Sequence, residues 1–68
     1  MANKINIDGR DIEYDMCGPY INFPGTETIR FYNPEGKGSE PLVVIISRIE
    51  GETHDDMVAR AFNYIRMA

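Results

Sequence analysis

The 68 residues contain one cysteine and one histidine, so any thiol nucleophile and imidazole base would have to be Cys17 and His54. A cysteine attacks as its thiolate and needs a base, a group that orients the base, and donors for the developing oxyanion. No third group and no pocket can be argued around this pair. The expectation for Cys17 is a free thiol, buried or half-buried. Gly36-Lys37-Gly38-Ser39 has part of the composition of a phosphate-binding loop. It lacks the glycine four positions earlier, the adjacent Lys-Ser/Thr pair and the following helix, and reads as a hairpin loop. Glu50, Glu52, His54, Asp55 and Asp56 carry metal-ligand atoms, but without calcium-loop spacing or its central glycine, and one histidine does not make the usual zinc set. Asp55 and Asp56 instead suit the positive end of a helix dipole. No catalytic residue, metal ligand or cofactor is expected, and the chain reads as a protein that is not an enzyme.

The remaining residues of interest suit recognition. Asp11, Glu13 and Asp15 alternate along one stretch and share a face. Such a row is a solvated face or an acidic surface that meets a basic partner. Tyr20 and Phe23 sit between Gly18-Pro19 and Pro24-Gly25, where their rings either close an end of a small core or contact a partner. Arg30 and Tyr32 alternate with Ile29 and Phe31, and Val43 and Ile45 alternate with Val44 and Ile46.

Seven basic against eleven acidic residues give a net charge of −4, divided evenly between the two halves of the chain. That charge opposes attraction to phosphate backbones and anionic membranes, so direct nucleic-acid binding is disfavoured despite Tyr20, Phe23 and Tyr32. No apolar stretch approaches membrane-spanning length, and the first residues lack a signal peptide's apolar segment; with Cys17 unpaired, a cytoplasmic location is expected. A chain of 7.8 kDa folds with about 61 per cent of its surface buried, enough for one small core and one domain over residues 1–68. Cores of this size supply about 3–5 kcal/mol, and no internal disulfide can add to it.

The elements that position these residues follow from pattern and punctuation. Lys4–Ile7 and Arg10–Met16 flank Asp8-Gly9, a type I′ turn signal. With that turn, Ile7 faces Arg10, Ile5 faces Ile12, Lys4 faces Glu13 and Asn3 faces Tyr14. Ile5, Ile7, Ile12, Tyr14 and Met16 then share a dry face, and Lys4, Asn6, Asp11, Glu13 and Asp15 a wet one. Cys17 to Thr26 reads as a loop, since its Gly-Pro and Pro-Gly pairs interrupt a regular ladder. Glu27–Tyr32 is a third strand. The Asn33–Pro41 loop leads into Leu42–Ile49, which is apolar on both faces and reads as the central strand. That long loop leaves open which of its faces Ile29 and Phe31 share. Thr53 caps a helix from about His54 to about Met67, with Met57, Val58, Ala61, Phe62 and Ile65 as its apolar stripe and Asp56 paired to Arg60.

The whole predicts an α+β domain: a four-stranded antiparallel sheet of two hairpins with one C-terminal helix on one face, in the order ββββα. It would act by binding a protein, a basic surface being the natural complement of its charge, through Asp11, Glu13, Asp15, Tyr20, Phe23, Arg30, Tyr32, Val43 and Ile45. A homodimer is a second expectation. Within the binding class, size and charge alone are analogous to the small acidic inhibitors that phages use against nucleic-acid-handling or defence complexes of their hosts, anti-CRISPR proteins among them. The alternative class is a subunit or small enzyme whose site is completed by an oligomer partner. One helix covers one face only, so either Val43, Ile45 and Ile49 or Leu42, Val44 and Ile46 must lie opposite it. The Cys17–Thr26 loop folded across them, or a partner, would supply the cover.

Overall fold

The computed structural model describes residues 3–36 and 38–67. Four strands and one helix follow in chain order: β1 (Asn3–Ile7), β2 (Arg10–Tyr20), β3 (Phe23–Tyr32), β4 (Leu42–Ser47) and α1 (His54–Met67). The strands form one antiparallel sheet in the order β1-β2-β3-β4, and α1 packs across one face. This is the expected ββββα arrangement.

The first hairpin adopts the register that its turn dictates. Asp8 and Gly9 both take positive φ, 54° and 84°, as a type I′ turn requires. Ile7 pairs with Arg10, Ile5 with Ile12, Lys4 with Glu13 and Asn3 with Tyr14. Ile12 and Tyr14 are buried under α1, with Ile5, Ile7 and Met16 packed against them. The second hairpin settles the face that its loop left open: Ile29 pairs with Val44 and Phe31 with Leu42, so Ile29 and Phe31 lie on the helix side with Val44 and Ile46. Its loop is tied by Asn33, whose carbonyl accepts from the Gly36 N–H and whose side chain accepts from the Ser39 N–H. Lys37 of the Gly36–Ser39 segment lies outside the described residues.

The helix contributes Val58, Ala61 and Phe62 to the core, and the Phe62 ring meets Phe31 edge-on at 5.3 Å. Thr53 caps it as expected: the Asp56 N–H donates to its Oγ1 at 3.1 Å and the Met57 N–H to its carbonyl at 3.0 Å. Arg60, however, does not pair with Asp56. It grips Glu52 with two parallel bonds of 2.9 Å and reaches the Ser47 carbonyl at 2.8 Å. A bidentate carboxylate clamp outcompetes a single exposed pair one helical turn away.

Three further expectations are corrected. Leu42–Ile49 is not the central strand: β4 ends at Ser47 and forms an edge of the sheet. Each strand is joined to its predecessor by a hairpin, so the fourth can only add beside the third, and central placement would need a crossover. Cys17–Thr26 is not a loop folded over the sheet. β2 and β3 continue through it to a turn at Ile21-Asn22, with register shifts on either side of Gly18. Gly18 takes φ 86° there, and the irregular ladder accommodates Pro19, which has no N–H to donate. The β2–β3 ladder thus runs past the last pairs of both neighbours, Asn3 with Tyr14 and Thr26 with Ser47, and projects as an arm. Cys17 lies in β2 between Met16 and Gly18, at the first of these register shifts, exposed rather than buried or half-buried.

Candidate functional site: the helix-free face of the sheet

Strand alternation sorts the candidate residues by face. With the odd residues of β3 under the helix, Thr28, Arg30 and Tyr32 point to the other side, and their pairings bring neighbours with them. One row across the sheet reads Lys4, Glu13, Tyr32; the next reads Asp15, Arg30, Val43; and Thr28 stands beside Ile45. Asp11 and Asn6 extend the face at β1. Seven of the nine residues proposed from sequence (Asp11, Glu13, Asp15, Arg30, Tyr32, Val43 and Ile45) therefore share one surface. It grades from charged at β1 and β2 to apolar at β4.

Tyr20 and Phe23 stand apart from that surface, at the tip of the arm, where their rings stack on each other at 5.9 Å. Neither belongs to the core. Ile21, between them and 78% exposed, is the most prominent apolar side chain of the tip. Among the described residues no lid covers β4 opposite the helix, and Val43 and Ile45 remain 53% and 49% exposed; Ile49, expected to share their face, lies beyond the strand beside His54 and Met57.

The polar part of the face is internally matched. The Tyr32 hydroxyl donates to Asp15 at 2.5 Å, the Asn6 amide donates to Asp11 at 3.0 Å, and Lys4 stands across from Glu13. The Arg30 guanidinium, opposite Asp15, has its pKa raised, first by the Tyr32 oxygen and then by Cys17 and Asp15. It is a fixed cation beside an acidic row. Such a surface can orient a docked partner through charge and hydrogen bonds while Val43 and Ile45 supply apolar contact.

The groups with potential reactivity are occupied elsewhere. His54 bonds the Tyr14 hydroxyl through Nε2 at 2.9 Å, and the Cys17 thiol lies 4.0 Å from the Asp15 carbonyl, so the two do not form a nucleophile and base pair. Burial, and then the charge of Asp55, raise the pKa of Tyr14. Among the described residues no cluster of three or more His, Cys, Asp or Glu side chains could hold a metal ion, and no helix is long and apolar enough to cross a membrane.

One pair escaped the sequence reading. Glu27 is buried on the helix side and bonded at 2.7 Å to Arg48, beside a hollow lined by Met16, Ile49, Glu52, His54 and Met57. The signal was present in the alternation, because Glu27 has the parity of Ile29 and Phe31 and must point toward α1. No family model, curated protein or solved structure matches the chain.

Proposed function

We propose that this protein is a non-enzymatic binding module that docks a protein partner on the helix-free face of its sheet. The observation that supports this reading is the exposure of Val43 and Ile45 side by side on β4, flanked by the ordered Asp15, Arg30 and Tyr32 group. A fully buried aliphatic side chain of this size contributes about 1.5–3 kcal/mol, so covering two half-exposed ones would add about 1.5–3 kcal/mol in all to binding. The neighbouring Asp11, Glu13 and Asp15 favour a partner with basic residues at the rim. Affinity then rests on Val43 and Ile45, and the acidic row acts mainly on the rate of encounter.

Site-specific photo-crosslinking in the source cell tests this. A photoreactive side chain in place of Tyr32 should capture a discrete protein, and the same group in place of Asn63, on the exposed side of α1, should not. With the captured protein purified, raising salt from low to physiological strength should slow association, and neutralising Asp11, Glu13 and Asp15 together should mimic the salt. Capture of the same protein from both positions, or of none from Tyr32, would remove the reading.

A further inference from the structure

The two edges of the sheet are not alike. On β4, the Arg48 N–H donates to the Gly25 carbonyl at 2.8 Å, whereas the Ser47 carbonyl accepts from Arg60 rather than from β3. Backbone groups in an antiparallel ladder point alternately to one side and the other. Leu42, Val44 and Ile46 therefore direct theirs to β3, and Val43, Ile45 and Ser47 present theirs to the free edge. By the same alternation β1 presents Lys4 and Asn6 at its edge, polar residues of the kind that discourage strand addition. β4 has no charge, proline or bulge between Leu42 and Ile46.

We infer that a second copy of this chain pairs with that edge, β4 against β4, around a two-fold axis at Val44, giving one continuous eight-stranded sheet. This inference does not rest on the protein-binding role of the open face. The register follows from the residues at the strand ends. With Val44 opposite its own copy, Val43 and Ile45 exchange both backbone hydrogen bonds with Ile45 and Val43 of the other copy. Ser47 then falls opposite Pro41, which has no N–H to give, and the Ser47 carbonyl needs none because Arg60 already supplies a donor. One step further out, Glu40 falls opposite Arg48, whose side chain is 62% exposed and uses one guanidinium nitrogen on Glu27. Two symmetric ion pairs result.

The neighbouring register fails on each count. Centring on Ile45 would set the Val43 N–H against the Ser47 carbonyl that Arg60 occupies, Leu42 against Arg48, and Glu40 against Glu50. In the Val44 register Leu42 meets Ile46 beside Tyr64, and the exposed Val43 and Ile45 become cross-strand neighbours, a β-branched pairing that sheets favour.

Sedimentation of the full chain under reducing conditions, from about 1 µM to about 1 mM, should show the mass rising toward twice 7.8 kDa. Ile45→Pro removes only an N–H that faces outward, so circular dichroism should be unchanged while the dissociation constant rises at least about tenfold from two lost hydrogen bonds. Glu40→Arg, an exposed change that leaves the fold intact, should weaken the dimer by about three- to tenfold at low salt, and less at high salt. In a Cys17→Ser background, Val44→Cys should oxidise to a covalent dimer, because directly opposed residues of a non-hydrogen-bonded pair stand about 4.5 Å apart at Cα. Ile45→Cys should do so more slowly. A chain that stays monomeric throughout, a dimer indifferent to both Ile45→Pro and Glu40→Arg, or faster crosslinking through position 45 would overturn the inference.

Discussion

Replacing Phe62 and Ile45 by alanine, one at a time, separates the two sides of the sheet by energy. Phe62 is 3% exposed, its ring set edge-on to Phe31 and flanked by the Arg10 and Arg66 guanidiniums at 5.9 and 5.7 Å from its centroid. Removing a buried phenylalanine side chain costs about 3–5 kcal/mol, which matches the entire stability of about 3–5 kcal/mol expected for a core of this size. Phe62→Ala should therefore be largely unfolded without denaturant. Ile45 has the composition of a core residue but is 49% exposed. About half of the 1.5–3 kcal/mol of a fully buried isoleucine is in play, and alanine keeps part of that contact, so the loss should be about 1 kcal/mol or less. With a urea slope of about 1 kcal/mol/M for a domain this small, the Ile45→Ala midpoint should fall by no more than about 1 M. Urea titrations followed by far-ultraviolet circular dichroism, at micromolar protein where association contributes least, measure both. If Ile45→Ala lost as much as Phe62→Ala, the helix would have to cover the other face of β4, and the face assignment would be wrong.

Two pH dependences follow from the packing. Burial raises the Tyr14 pKa above its ordinary value near 10, so its contribution is fully present below about pH 10 and is lost as pH rises through the folded value. Alkaline unfolding should therefore steepen there in the wild type and flatten in Tyr14→Phe, as read from thermal melts across the range. The Glu52 carboxyl is held below its ordinary value by the hydrogen bonds from Arg60, against a smaller opposing effect of desolvation. Its contribution is present above the unfolded carboxylate range and lost as pH falls through the lowered folded value, so Glu52→Gln should show a shallower acid limb than the wild type in the same melts.

The parts of this fold that were legible in the sequence are those where two local rules agree. Asp8-Gly9 specified both a turn and a register, and the alternation of Ile5, Ile7, Ile12 and Tyr14 demanded that same register. Thr53 marked a helix start at the point where a 3.6-residue stripe begins. The arm was missed because Gly18-Pro19 and Pro24-Gly25 are also loop signals, and only the pairing partner reveals a bulge that lets a strand pass through them. Arg60 was misassigned because spacing on a helix identifies neighbours on that helix, whereas Glu52 approaches from the connection before it. The helix-free face was largely legible, since alternation alone placed Asp11, Glu13 and Asp15 together. Adding Arg30, Tyr32, Val43 and Ile45 to them required the register of the second hairpin, which a nine-residue loop, Asn33 to Pro41, does not encode.

The misreading of Leu42–Ile49 has a physical content of its own. A strand apolar on both faces is stable in two settings: inside a sheet covered on both sides, or at a boundary that something else completes. Hairpin connectivity excludes the first, since the fourth strand of a meander has one neighbour and this sheet has one helix. The helix accounts for Val44 and Ile46, which leaves Val43 and Ile45 with exposed side chains on one surface and unpaired backbone groups along the other boundary. Those are two separate demands on the same two residues. A copy paired along the edge would satisfy the backbone groups and bring four such side chains into one apolar strip on the open face, a broader platform for a protein partner than either chain presents alone. Strand pairing and partner docking are therefore compatible on β4, and a partner that bound the open face of the dimer would strengthen the dimer by the same factor that dimerisation strengthened its binding.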